Sequence, residues 1–271
     1  MAFINTSIYS RTLDQRVPIS LFLPTDRASG HTRTPKAVIY FLHGKGQNNE
    51  DFQNYTAANR YAMENHVAMV YVNAPYSFYQ DMACGYNYYT YITEELPDLL
   101  SKMFILPQDR KHTFICGLSM GGYGALLLGL SRPDIYSACA SFSGSLDMGA
   151  MLEAAKDNED YKRIFSPAFG ENLEFKDNAN LFKLAENMAK LPEEEQSRVF
   201  VCCGKQDHNY FIYEQNQTFN NFAKNLNLAN YKFMEWDGTH DYSFWDRAML
   251  HSIAFFLKNS YDQKKIKLWR D

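Results

Sequence analysis

The sequence lacks a long apolar run, a surplus of positive charge and a metal-binding cysteine pattern. None of its 271 residues belongs to an apolar stretch near the roughly 20 residues that a membrane-spanning helix needs. The start, Met1-Ala2-Phe3, has neither the basic residues nor the apolar run of a secretory leader. We therefore expect a cytoplasmic globular protein with no membrane partner.

Charge and cysteine content narrow the possible partners. Lys and Arg number 27 against 31 Asp and Glu, for a net charge of −4, so no nucleic acid partner is expected. The five cysteines show no zinc-site spacing, and most fall in apolar runs, which indicates reduced thiols. We expect no metal and no cofactor. A small molecule is the expected partner, and a homo-oligomer is a further possibility.

The sequence has enough hydrophobic residues for a large core, and its short β-rich runs alternate with helical runs. Hydrophobic residues make up 46% of the chain and aromatic residues 15%. The strand candidates are Val17–Leu23, Ala37–Leu42, Val67–Asn73, Thr113–Leu118, Ala138–Ser143, Val199–Cys203 and Tyr231–Trp236, with Phe3–Ser10 as an added edge strand. The helix candidates are Asp51–Glu64, Tyr89–Leu100, Gly122–Ser131, Phe211–Leu226 and Phe244–Asn259. Several strands are apolar on both faces, so the pattern predicts an α/β fold with a doubly wound, mostly parallel eight-stranded sheet and helices on both faces.

The stretch from Gly144 to Ser197 interrupts this alternation. It has helical patterns at Ala150–Lys156 and Asn180–Lys190 but no obvious parallel strand. We interpret residues 144–197 as a small cap insertion that shapes a pocket; an ordinary crossover of two helices is the alternative. Because no repeat or low-complexity linker divides the chain, residues 1–271 are expected to form one domain.

The most informative segment is ICGLSMGG, Ile115–Gly122. An apolar strand precedes its G-x-S-x-G sequence, and a helical run beginning at Gly122 follows. A bare G-x-S-x-G also occurs in plain turns, so the strand and the helix carry the interpretation. This context predicts a nucleophile elbow with Ser119 at a strained apex and glycines where side chains would collide with neighbouring backbone.

A serine nucleophile needs a base and an acid that orients the base. In α/β sheets with this elbow, the chain order is serine, acid, histidine. Asp207 follows the candidate strand Val199–Cys203, and His240 follows the last strand, so these two are the predicted acid and base. His208 is the main alternative base. Asp237 and Asp241 flank His240 but are too close in sequence to be favoured as the acid.

A glycine-containing loop follows the strand Ala37–Leu42 and reads HGKGQNN from His43 to Asn49. Such a loop can direct backbone N–H groups at a developing oxyanion. The predicted oxyanion-hole donors are the N–H groups of Lys45 and Met120, with Gly44 or Gly46 in place of Lys45 as fallback; a plain turn is the alternative. His43 is expected to form a local hydrogen bond rather than to transfer protons.

With these motifs in place, the chain resembles the α/β-hydrolase superfamily and, within it, the esterase D group, which includes tributyrin and feruloyl esterases. The similar segments are LHGKGQN, GLSMGGYGAL, the Gly204–Asp207 turn and GTHDYSFWD, and the resemblance extends roughly from Val17 to Leu257. It implies the α/β-hydrolase fold, with Ser119 as nucleophile, His240 as base and Asp207 as orienting acid.

The function that the resemblance implies is a serine carboxylic-ester hydrolase acting on small soluble esters with short acyl, acetyl or feruloyl groups, including carbohydrate-linked esters. The alternatives are a thioesterase similar to S-formylglutathione hydrolase, an acyltransferase with the same residues, a peptidase and a binding module without activity. An aromatic-rich region from Tyr76 to Tyr91 could line the acyl pocket or could equally be core.

Overall fold

The computed structural model describes residues 1–25 and 34–258, so the predicted end of the last helix at Asn259 lies outside the described residues. Eight strands form one sheet: β1 Ala2–Ser10, β2 Gln15–Leu23, β3 Ala37–Leu42, β4 Val67–Val72, β5 Thr113–Leu118, β6 Ala138–Phe142, β7 Arg198–Gly204 and β8 Lys232–Trp236. Their order across the sheet is β1-β2-β4-β3-β5-β6-β7-β8. The predicted eight-stranded sheet is confirmed.

The sheet is parallel from β4 to β8 and antiparallel at β1 and β2. Parallel strands end at the same edge of the sheet, which is where open α/β sheets bind ligands. The loops that follow β3, β5, β7 and β8 therefore start from one edge. The residues named above as candidates for chemistry lie in these loops or, for Met120, at the first position of the helix that follows.

The sheet has a hydrophobic core on each face because its central strands are apolar on both sides. Every residue of β3, β4 and β5 is buried. Along β3, Val38 and Tyr40 face one core, while Ile39 and Phe41 face the other. Strands buried on both faces require helices above and below the sheet, which is the observed layering.

The helices are α1 Asp51–Tyr55, α2 Ala58–Glu64, α3 Tyr88–Thr90, a π-helical turn Tyr91–Glu95, α4 Leu96–Met103, α5 Met120–Ser131, α6 Met148–Ala155, α7 Glu159–Phe169, α8 Leu181–Met188, α9 Ile212–Ala223 and α10 Tyr242–Phe256. Helices α1, α2 and α10 pack on one core, and α4, α5, α8 and α9 pack on the other. None of the helices in the described ranges is both long and apolar enough to cross a membrane.

The prediction of one continuous helix over Asp51–Glu64 is wrong, because the structure has two helices there, α1 and α2. The chain breaks between α1 and α2 at Thr56, whose backbone is extended at φ −134° and ψ 170°. The N–H of Ala57 donates instead to Oδ1 of Asp246 on α10, at 2.6 Å. A tertiary hydrogen bond thus replaces a helical one, and local sequence does not reveal it.

Between β6 and β7 the chain forms α6, α7 and α8 with no strand between them. Helix α7 was not predicted, because its apolar positions are sparse and Pro167 lies inside it. Two of these helices, α6 and α7, reach the carboxyl edge of the sheet and contribute to a cavity there. The single domain with an insertion at 144–197 stays a prediction.

Candidate active site

Ser119 lies between the end of β5 and the start of α5, with φ 54° and ψ −117°. This conformation is sparsely populated for residues with a side chain and typically costs about 1–3 kcal/mol. It persists because hydrogen bonds on both sides fix the turn: the N–H of Ser119 donates to Phe142 O at 3.0 Å, and its carbonyl accepts from Tyr123 N at 3.1 Å. The side chain is only partly buried and lines a cavity.

Two glycines allow this turn to form at the observed distance from its neighbours. A Cβ atom on Gly117 would lie 2.3 Å from Gly121 O, and one on Gly121 would lie 2.0 Å from Leu42 O on β3. Both contacts are with backbone, which cannot move aside. The expected collision with strand and helix is therefore present at Gly117 and Gly121, and any side chain there would displace the elbow.

Asp207 and His240 meet across the ends of β7 and β8. Nδ1 of His240 lies 2.8 Å from Oδ2 of Asp207. The carboxylate is fully buried, while the imidazole is 20% exposed and packs edge-on against Trp245 at 4.9 Å. A carboxylate only accepts hydrogen bonds, so Nδ1 carries the ring proton and Nε2 keeps a free electron pair. His240 and Ser119 line the same cavity.

The alternative acids and base are engaged elsewhere. His208 is exposed and pairs through Nδ1 with Glu214 Oε1 at 2.8 Å. Asp241 caps α10 by accepting from Phe244 N at 3.0 Å. Asp237 accepts a long hydrogen bond of 3.5 Å from the Gln206 amide. Asp207 is thus the carboxylate that the structure pairs with His240.

His43 fixes the loop after β3, as expected from its position. Its Nε2 accepts the N–H of Ala74 at 3.0 Å, so Nδ1 must carry the proton that is donated to Gly44 O at 2.8 Å. Burial lowers the pKa of His43 to about 4, so the ring is neutral at pH 7. A second hydrogen bond holds the same loop: the Tyr79 hydroxyl donates to His43 O at 2.7 Å.

The loop presents Lys45 to the cavity, together with Met120. Met120 is the first residue of α5, so its N–H has no acceptor within the helix. The N–H of Gly44 already donates to Gln47 Oε1 at 2.9 Å, and Gly46 is exposed and does not line the cavity. Of these candidates, only Lys45 and Met120 are among the residues that line the cavity, and their role as oxyanion donors stays a prediction.

The cavity at this edge has a volume of about 940 Å³ and mostly apolar walls. Its aromatic lining consists of Phe78, Tyr161, Phe165, Tyr210 and Phe211. Of the aromatic-rich region from Tyr76 to Tyr91, Phe78 is the ring that lines this cavity; Tyr79, Tyr88 and Tyr91 are buried in the core, and Tyr76 and Tyr86 are exposed elsewhere. Sequence reasoning missed the other four, because α7 was not predicted, Tyr210 lies outside every predicted element and Phe211 was predicted to begin a helix.

Within the described ranges there is no group of three His, Cys, Asp or Glu side chains that could hold a metal ion. All five cysteines are free thiols; Cys116, Cys139, Cys202 and Cys203 are buried and Cys84 is exposed.

Comparisons with known proteins identify the family. The family model described as "Putative esterase" matches residues 10–256. An acetyl esterase of Caldicellulosiruptor saccharolyticus is 27% identical over 276 residues, which are 96% of this chain and all of the relative.

Two solved structures from Staphylococcus aureus are similar over the whole fold. FphF, a fluorophosphonate-binding serine hydrolase, is 28% identical with a TM-score of 0.82 and covers 94% of this chain and 98% of its own. The S-formylglutathione hydrolase FrmB is also 28% identical, with a TM-score of 0.79 and the same coverage. Because the family model spans most of the chain, the protein belongs to this esterase family and is a carboxylesterase with the α/β-hydrolase fold.

Proposed function

We propose that Ser119, His240 and Asp207 form the catalytic triad of this esterase. The observation that carries the proposal is the 2.8 Å contact between His240 Nδ1 and Asp207 Oδ2 at the rim of the cavity that Ser119 lines. The buried carboxylate holds the imidazole in the tautomer whose Nε2 can accept a proton. Ser119 is the hydroxyl in a strained elbow on that cavity.

In the proposed reaction, His240 Nε2 takes the Ser119 proton as Oγ attacks the ester carbonyl carbon. The carbonyl oxygen becomes an oxyanion, held by the N–H groups of Lys45 and Met120 at the positive end of α5. The tetrahedral intermediate collapses, and the alcohol leaves with the proton from His240. Water then attacks the acyl-enzyme by the same route, which releases the acid and restores Ser119.

The proposed substrates are small soluble esters with short acyl, acetyl or feruloyl groups, including carbohydrate-linked ones. A cavity of about 940 Å³ lies within the size range of small-molecule sites, and its apolar walls suit an uncharged acyl group. The acetyl esterase relative supports an acetyl group in particular.

A second candidate is a thioesterase that acts on an S-acyl glutathione, which the likeness to FrmB supports. The same three residues would cleave a thioester. A panel of acetyl esters and S-formylglutathione distinguishes the two through the ratio of their kcat/KM values.

We also propose a cytoplasmic location, a small molecule as the working partner and no nucleic acid partner. The free cysteines support the location, since four of the five lie buried in strands as thiols. The net charge of −4 supports the absence of a nucleic acid partner. A homo-oligomer stays a prediction.

Ser119→Ala tests the mechanism with p-nitrophenyl acetate and with a fluorophosphonate probe. The variant should lose at least about 10³-fold in kcat and should no longer be labelled. Ser101→Ala, which removes an exposed hydroxyl on α4, is the matched control and should keep wild-type turnover. A folded Ser119→Ala protein with wild-type turnover would refute the proposal.

A further inference from the structure

The turn between Asp207 and α9 has an unusual backbone. Tyr210 lies at φ 53° and ψ 27°, and Phe211 follows at φ 57° and ψ 32°. Two consecutive left-handed residues are rare outside glycine, and bulky aromatic residues are poorly suited to this region. Such a conformation persists only where the surrounding structure imposes it, and it is commonest at functional sites.

The surrounding structure imposes it through Gln215, which is buried in the first turns of α9. The Gln215 amide donates to Tyr210 O at 2.8 Å, and its Oε1 accepts from Asp147 N at 2.9 Å. On the other side, Tyr213 N donates to Asp207 O at 2.8 Å. The strained turn is thereby tied both to the acid and to the start of α6.

The consequence of this turn is that two aromatic rings stand at the cavity instead of in the core. Tyr210 is 49% exposed and Phe211 is 73% exposed, and both line the cavity with Ser119 and His240. Burying these rings would remove apolar surface from water and would stabilise the fold. Their exposure at the cavity therefore indicates a role in binding.

Tyr210 is already held on two sides. Its ring packs edge-on against Tyr161 of α7 at 5.9 Å, and the Lys45 ammonium lies 5.0 Å from its centroid. Three separate loops and helices thus meet at Tyr210, beside the residue proposed to donate to the oxyanion. Phe211, the next residue, is far more exposed and offers an apolar ring at the cavity wall.

We propose that Tyr210 and Phe211 determine substrate specificity by packing against a ring carried by the ester. The ring of Phe211 contacts the substrate ring. Tyr210, which packs against Lys45 and Tyr161, holds the turn in place beside the cavity. The shared chemistry of the ligand is a flat, largely apolar ring face, supplied by an aromatic group or by the C–H face of a sugar. The inference rests on the proposed esterase function of Ser119, whose site these rings share.

The experiment compares Phe211→Ala, Tyr210→Ala and Tyr210→Phe on three acetates: ethyl acetate, phenyl acetate and a mono-acetylated methyl pyranoside. Phe3→Ala is the matched control, because Phe3 on β1 is also an exposed phenylalanine, at 60%, and does not line the cavity. Circular dichroism and thermal unfolding establish that each variant is folded.

Phe211→Ala should raise KM about five-fold for a ring-bearing ester, as expected for one lost aromatic contact, with kcat changed less than two-fold and ethyl acetate unaffected. Tyr210→Ala should act similarly, and Tyr210→Phe should restore wild-type KM. A loss with phenyl acetate alone identifies an aromatic ring, and a loss with the pyranoside alone identifies a sugar; either result supports the proposal.

Equal changes on all three esters, or no change on any, would overturn the inference. These results are distinct from failure of the esterase mechanism itself. If Ser119→Ala is inactive while Phe211→Ala keeps wild-type KM on every ester, only the specificity proposal fails. If Ser119→Ala stays active, the triad proposal fails first.

Discussion

Acidification is expected to destabilise the protein through His43, which holds the oxyanion loop. In the folded protein, Nε2 accepts from Ala74 N, so protonation there would break a buried hydrogen bond and leave a charge without water. Burial lowers the pKa of His43 to about 4, from an ordinary value of 6.5. Between these two values the unfolded chain binds more protons than the folded one, so stability falls as pH falls.

The size of the effect follows from the two pKa values. From pH 7 to pH 5 the unfolded histidine becomes almost fully protonated and the folded one stays mostly neutral, which lowers the free energy of unfolding by about 2 kcal/mol. Below pH 4 the loss levels off at about 3 kcal/mol. Burial also lowers the pKa of His251 to about 4, so that residue adds a loss in the same pH window.

The assay is urea unfolding at pH 7 and pH 5 of the wild type and of His43→Gln, whose amide cannot titrate. The fall in unfolding free energy between the two pH values should be about 2 kcal/mol smaller in His43→Gln, while the His251 contribution remains in both proteins. Nitrogen NMR of the His43 ring gives a second measurement that needs no variant. A His43 pKa near 6.5 in the folded protein, or identical pH dependence in both proteins, would refute the reasoning.

Three further predictions follow from the site and its scaffold. Asp207→Asn should lower kcat for p-nitrophenyl acetate by about 10⁴-fold, because an amide no longer holds His240 in the required tautomer. Gly121→Ala should lower the free energy of unfolding by more than about 4 kcal/mol in thermal denaturation, since its Cβ would lie 2.0 Å from Leu42 O. Glu95→Gln should cost about 1–2 kcal/mol in urea unfolding at pH 7, because its carboxylate accepts hydrogen bonds from Ser10 Oγ and from the N–H groups of Arg11 and Thr12.

Each of these predictions has a matched control. Asp237→Asn alters a neighbouring carboxylate and should keep wild-type turnover; equal losses in Asp207→Asn and Asp237→Asn would contradict the pairing with His240. Gly149→Ala, in α6, would place its Cβ 3.3 Å from the Phe175 side chain and 3.7 Å from Asp147 Oδ1, and should change stability by about 1 kcal/mol or less. A Gly121→Ala protein as stable as Gly149→Ala would contradict the close approach.

For Glu95 the pH dependence supplies the control. Burial raises the pKa of Glu95, but the hydrogen bonds from Ser10, Thr12 and Arg11 outweigh it and hold the pKa below its ordinary value. Stability from this group is therefore complete above an unfolded pKa of about 4.3 and is lost as pH falls through the lower folded value. A stability difference between wild type and Glu95→Gln that persisted at pH 2 would show that the charge is not its cause.

Much of the fold could be predicted from local patterns. Each central strand is a short apolar run, and each boundary carries glycine, proline or polar residues, so strand positions agree with prediction to within one or two residues. The incorrectly predicted continuous helix Asp51–Glu64 shows the limit of this reasoning. Its pattern is helical throughout, yet the carboxylate of Asp246 on α10 accepts a hydrogen bond from the N–H of Ala57, and the helix is interrupted there.

The residues of the site likewise fall into those that the sequence could predict and those that it could not. Order along the chain and position after a strand were enough to select Ser119, Asp207 and His240 as the candidate triad, because parallel strands bring their following loops to one edge. Apart from Phe78, the aromatic walls could not be selected, since they depend on α7 and on a left-handed turn at Tyr210. Helix propensity predicts that α9 begins at Phe211. In the structure it begins at Ile212, because Gln215 holds the preceding turn through its hydrogen bonds with Tyr210 and Asp147.

The sequence by itself determined the alternation of strands and helices, the strained serine turn with its glycines, and the order of the three candidate residues, because these depend on near neighbours and on connection rules. Only the tertiary structure decided which histidine nitrogen carries a proton, which N–H groups are already bonded and which rings line the cavity. Those properties depend on partners distant in sequence, such as Ala74 for His43 and Tyr161 for Tyr210, and no local pattern specifies them.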